Sequence, residues 1–172
     1  MLQIIGSSLI VVSTTLIGWS LVAHMKKRIR ELYELQYYIL MLEGEIQCAN
    51  QDLYHCFQNI SHHASGCWKN FFSDVLKEME GEKKKEFREI WEDAMKKICN
   101  KTALTAEQQR EWKCLGNNLG YLDQEMQIAW LDICEKKMER FEEKEREKFQ
   151  ERAKLYQSIG IMSGIFMVIL LV

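Results

Sequence analysis

The chain has 172 residues, a net charge of −2 and no proline. That length holds one modest core but not two, and a near-neutral charge lacks the basic footprint of a nucleic-acid partner, so none is expected. Proline averages about 5% of residues. Its absence, with Glu, Lys, Leu, Met and Gln dominating the middle, favours long helices over sheet.

From Met1 to Met25 no side chain is charged unless His24 is protonated. Ile4-Ile5, Leu9-Ile10-Val11-Val12, Leu16-Ile17 and Leu21-Val22 supply the apolar mass, and the run exceeds the roughly 18 residues of a membrane-span candidate. No basic residue precedes it and Lys26-Lys27-Arg28-Ile29-Arg30 follows, so a retained anchor over 1–25 is expected rather than a cleaved signal peptide.

Residues 26–155 read as one helical bundle. Leu32, Leu35, Ile39, Leu42, Ile46 and Ala49 keep a 3-4 spacing that draws one apolar stripe. It continues through Leu53, Cys56 and Ile60 with a break expected near Asn50. Trp68, Phe71, Phe72, Val75, Leu76 and Met79 mark the next helix, ended by Gly81. Phe87, Ile90, Trp91, Ala94, Met95 and Ile98 mark another, closing at Asn100. Thr105-Ala106-Glu107-Gln108 is a capping box that opens a helix with apolar positions Trp112, Leu115, Leu119, Leu122 and Met126. The segment from Leu131 to Leu155 carries Cys134, Met138, Phe141 and Phe149 on one face. Glu145 and Arg152 interrupt that seam, so a solvated helix leading towards the membrane is expected rather than a sustained coiled coil.

Residues 156–172 carry no charge and approach the length of a second span. Gly160 and Gly164 give the small-xxx-small spacing of membrane-helix packing. Lys26, Lys27, Arg28 and Arg30 after the first run, and Arg146, Lys148, Arg152 and Lys154 before the second, place the middle in the cytoplasm and both termini on the opposite side. The expected fold is therefore all-α, a helical bundle between an N-terminal and a C-terminal transmembrane helix.

Chemistry is hard to find. Cys48, Cys56, Cys67, Cys99, Cys114 and Cys134 make no C-x-x-C pair, and the His55, Cys56, His62, His63, Cys67 group has no recognised metal-ligand spacing. There is no phosphate-binding loop and no dinucleotide fingerprint. Neither a cofactor nor a metal is expected, and the chain is read as a non-enzyme. Glu43 and Glu45 fall opposite the apolar stripe, where solvated carboxylates are ordinary and a partner could also bind. Leu115-Gly116-Asn117-Asn118-Leu119-Gly120 puts two glycines four apart inside a helical pattern, at about 1 kcal/mol each relative to alanine. That spacing fits a close helix crossing, a break between helices, or a flat face or hinge used by a partner.

These residues, taken in order, resemble the stage III sporulation protein AB family of endospore-forming bacteria, end to end. Leu42-Glu43-Gly44-Glu45-Ile46, Trp91, Leu104-Thr105, the run Leu115-Gly116, Leu119-Gly120, Asp123 and Gln127, and Tyr156, Ile159, Gly160, Gly164 carry the resemblance. Two positions depart from it: Gln51-Asp52-Leu53 stands where the family has a Thr-Pro-Leu turn, and Gln124 where a basic residue is usual. The resemblance implies a component of the sporulation channel complex in the mother-cell membrane around the forespore. It also implies a cytosolic domain similar to the F-type platform proteins of type II secretion. By that analogy the chain would anchor the complex's ATPase, stage III sporulation protein AA, beside other channel subunits, and would self-associate into a homo-oligomer. A generic membrane-tethered helical scaffold without an ATPase partner is the alternative.

Overall fold

A computed structural model describes the backbone of residues 2–49, 52–81, 85–119 and 123–171. Side chains are described over 12–47, 52–81, 85–119 and 123–155, and at 158, 159, 162 and 166. Among the described residues there are six helices and no strand: α1 Leu2–Ala49, α2 Leu53–His63, α3 Gly66–Glu80, α4 Phe87–Ile98, α5 Ala106–Asn118 and α6 Gln124–Leu171. The all-α class is thus observed. Among the described residues no helix is long and apolar enough to cross a membrane. The expected span 1–25 includes eleven positions, 1–11, whose side chains lie outside the described set, and most of 156–172 lies outside it too.

The chain forms two compact units. Met1–Arg30 with Glu143–Val172 is one, and Glu31–Glu142 is the other. The second holds the main core. Its apolar stripes are those the 3-4 spacing draws: Leu32, Leu35, Ile39, Leu42 and Ile46 of α1 are all buried, as are Trp68, Phe71, Phe72 and Val75 of α3. Tyr38 and Phe57 join them, one residue off the expected stripe in each helix, because a helix face wide enough to meet two neighbours buries more than one row. Consecutive helices pack on one another, α2 on α3, α3 on α4 and α4 on α5.

The helix ends have local causes. Gly66, the first residue of α3, takes φ 56, a left-handed conformation that a side chain with a Cβ rarely adopts. The capping box of α5 forms as expected: the Thr105 hydroxyl accepts from the Gln108 backbone N–H at 3.3 Å, and the Gln108 side-chain oxygen accepts from the Thr105 N–H at 2.8 Å. Gln109 donates from Nε2 to the carbonyl oxygens of Cys99 (3.0 Å) and Leu104 (3.2 Å), which ties the preceding loop to the helix it enters.

One buried charge fastens that loop to α1. Glu31 is only 3% exposed, and its carboxylate accepts from the Ala103 backbone N–H at 2.8 Å. Removing the acceptor takes a hydrogen bond to a charged group from a buried N–H, an interaction stronger than a neutral one. Glu31→Ala should therefore lower stability by about 1–3 kcal/mol, read as a shift in the urea midpoint. An unchanged midpoint would show that water replaces the carboxylate without loss.

Candidate functional site

The glycine-bearing stretch is a packing site inside the bundle. Leu115 and Leu119 are fully buried, and Gly116 is buried between α5 and α4. A Cβ built on Gly116 would overlap the Trp91 indole, whose Cγ, Cδ1 and Cδ2 are its nearest neighbours, Cδ2 at 2.7 Å. The same indole donates from Nε1 to the carbonyl oxygen of Trp112 at 3.0 Å. Trp130 of α6 donates to the Leu115 carbonyl oxygen at 3.2 Å. Of the three readings open for the glycine pair, close helix approach describes Gly116. Gly120 lies outside the described residues.

The expected continuation of α5 to Met126 is corrected, and Leu122 lies outside the described residues. The helix ends at Asn118, and Leu119 leaves it with φ −73 and ψ 131 to fill the core. Met126 is 55% exposed and belongs to α6. Asp123 precedes that helix and caps it: its Oδ1 accepts from the Met126 N–H at 2.9 Å, and its carbonyl oxygen from the Gln127 N–H at 2.9 Å. Gln127 itself is half-buried. Gln124, where the family usually has a basic residue, donates to the Ile46 carbonyl oxygen at 2.7 Å and so secures the last turns of α1.

Glu43 and Glu45 sit on either side of the α1 core stripe, both half-buried. Glu45 accepts from Asn59 of α2 at 3.0 Å, and Glu43 from Gln47 at 3.1 Å. The neighbourhood of Glu43 extends to α6. Burial pushes the Glu135 carboxyl above its ordinary range, and the carboxylates of Glu139, Asp132 and Glu43 push it further the same way, against the pull of Lys136. Sequence reasoning missed Asp132, Glu135 and Glu139, because no local pattern brings α6 beside α1. It also passed over Tyr33, Tyr37 and Leu40, which are 60%, 45% and 53% exposed at i, i+4 and i+7 on the α1 face opposite the core.

In the unit formed by the two chain ends, the polar seam is not solvated as expected. Glu145 is 3% exposed and pairs with Arg28 Nη1 at 3.1 Å and Lys148 Nζ at 2.8 Å. Burial pushes its carboxyl up, but hydrogen bonds from Lys148 and Arg28 outweigh burial and hold it below the usual carboxylate range. Lys26 places Nζ 5.8 Å from the centroid of the Phe149 ring.

Cys56 and Cys134 are buried in the core. Burial pushes Cys134 up to about 12 and also raises Cys56, which disfavours the thiolate at both. Among the described residues no group of three or more His, Cys, Asp or Glu side chains is placed to hold a metal ion. Cys48 lies outside the described side chains, as do Gly160 and Gly164, which fall within α6.

Comparison with known proteins gives a consistent picture. The sequence profile of the family described as Stage III sporulation protein AB matches residues 3–172. Stage III sporulation protein AB of Bacillus subtilis (strain 168) is 23% identical over 171 residues, covering 99% of each chain. A solved structure of a stage III sporulation protein AB superimposes with a TM-score of 0.66 at 20% identity, over 72% of this chain and 97% of that one. At that identity the likeness shows the shared fold.

Two glycines offer a paired test with opposite signs. In an exposed helix interior Gly→Ala gains about 1 kcal/mol, and a Cβ on Gly44 of α1 meets nothing within 4 Å. At Gly116 the overlap is with ring atoms next to the Trp91 Cβ, which cannot swing away as a flexible tip would. Overpacking of that kind costs about 1–3 kcal/mol. Gly44→Ala should raise the urea midpoint and Gly116→Ala should lower it. A stabilising Gly116→Ala would contradict the close approach.

Proposed function

The chain belongs to the stage III sporulation protein AB family, and on that premise we propose that it is a non-enzymatic membrane platform of the mother cell–forespore channel complex. In this reading residues 1–25 and 156–172 are membrane helices, the bundle is cytosolic, and the bundle recruits the complex's secretion-type ATPase. The observation that carries the reading is the match to the family over residues 3–172, which includes both apolar ends. α1 and α6, 48 residues each, join those ends to the bundle without a break. The basic residues beside each apolar run support a cytoplasmic bundle.

The docking surface we assign to the ATPase is the set of carboxylates of Glu43, Asp132, Glu135 and Glu139, of which Asp132 already pairs with Lys136 at 2.6 Å. It suits a basic partner surface, and charge there sets encounter and specificity. In the full chain, Glu43→Lys with Glu135→Lys should reduce ATPase recruitment to membranes by about tenfold while helicity is kept. Full recruitment by that variant, with the wild type insensitive to salt, would reject this surface. An ATPase repeatedly missing from pull-downs of sporulating cells would favour a scaffold without one.

Self-association belongs to the same proposal, since platform proteins of type II secretion carry two such domains and this chain has room for one. Tyr33, Tyr37 and Leu40 form an exposed apolar row of the kind that marks an interaction surface. Detergent-purified protein should be larger than a monomer at micromolar concentration, and Tyr37→Glu should shift it towards monomer. A monomeric wild type would remove this part of the proposal.

A further inference from the structure

A groove of about 280 Å³ opens beside α1 and is lined by Trp19, Val22, Ala23 and Lys26. It lies in the unit formed by the chain ends, and its lining changes character along its length. Trp19, Val22 and Ala23 are apolar, and Trp19 is 63% exposed. Lys26 comes two helical turns after Trp19, about 10 Å along the axis, and is the first Lys or Arg in the chain. Among the described residues no ion pair joins Lys26, whereas Arg28, half a turn further on, is committed to the buried Glu145. The Phe149 ring under its ammonium group steadies the lysine head without neutralising it.

An apolar slot that ends in an uncompensated cation, at the level where an apolar run gives way to basic residues, has the polarity of an anionic amphiphile. Basic residues at that depth attract acidic headgroups, by about fivefold per charge near an acidic leaflet. Trp19 lies about 10 Å from Lys26 along the axis, on the apolar side of that boundary, where its ring meets acyl chains. We propose that this groove holds one anionic phospholipid of the surrounding bilayer, with an acyl chain against Trp19, Val22 and Ala23 and the phosphate at Lys26. The volume accommodates part of one acyl chain, so the rest of the lipid stays in the bilayer. This inference rests on the membrane reading above.

The test uses the full chain reconstituted into phosphatidylcholine vesicles with a minority of phosphatidylglycerol, one or the other lipid brominated on its acyl chains. The fluorescence assigned to Trp19 is the part that Trp19→Phe removes. At equal mole fraction, brominated phosphatidylglycerol should quench that part more than brominated phosphatidylcholine, with a relative affinity of about fivefold. Lys26→Gln should bring the ratio to about one, Lys26→Arg should keep it, and Lys27→Gln should leave most of it. Equal quenching by both lipids in the wild type overturns the lipid site and leaves the membrane reading standing. An equal loss in Lys26→Gln and Lys27→Gln reduces the site to a general basic patch and overturns it as well. No quenching by either lipid overturns the membrane reading together with the site.

Discussion

The Trp91 indole against Gly116 is the contact on which the packing of the bundle depends. With a Cβ at position 116 the ring would be displaced, and its Nε1 would leave the Trp112 carbonyl oxygen. The ring also meets Phe71 edge-on at 4.7 Å and 89°, and lies 5.7 Å from Phe57, 5.7 Å from Phe87 and 5.4 Å from Trp112. One side chain of α4 thereby touches α2, α3 and α5. Each aromatic pair is worth about 0.5–1.5 kcal/mol beyond the area it buries, so a shift of Trp91 is felt in three helices together. The indole N–H groups of Trp68 and Trp112 have no hydrogen-bond partner among the described residues. Of these three buried indoles, Trp91 is the one whose polar atom also specifies its position.

How much of this was legible in the sequence follows from the range of each signal. The apolar stripes of α1, α3 and α4 were readable because a 3-4 spacing is a local property of each helix, and the capping box of α5 was readable because its two partners are three residues apart. The glycines were visible as an anomaly but not as an answer. Spacing reports that a helix has lost its Cβ atoms, not what lies opposite, and Trp91 is 25 positions from Gly116. The end of α5 was missed because Leu119 sustains the apolar period while its backbone has already left the helix. The sequence pattern followed the side chain into the core and ran past the turn.

Electrostatic features were the least legible. Glu145 reads locally as a charge that breaks an apolar seam, and only Arg28, 117 positions away, makes it a buried partner. The carboxylates near Glu43 come from α6 for the same reason. Both features depend on where two distant helices are brought side by side. Neither composition nor periodicity carries that information, and a match to a family carries it only as a shared fold.

The Arg28–Glu145 pair has a consequence for any platform role. Arg28 is partly exposed and Lys148 also pairs with Glu145, so losing Arg28 leaves the carboxylate with one partner instead of two, while the net gain of such a pair over an apolar one is small. Such a contact is therefore a weak source of stability and a strong source of register. Arg28 with Glu145 and Lys26 with Phe149 fall in antiparallel order along α1 and α6. A slip of one turn, about 5.4 Å, would take Arg28 away from the Glu145 carboxylate and leave it Lys148 of its own helix as partner. The two helices that carry the apolar ends are thus held against axial sliding by a charge, where apolar side chains alone would tolerate it. A pull or push on one of them would be shared by the other.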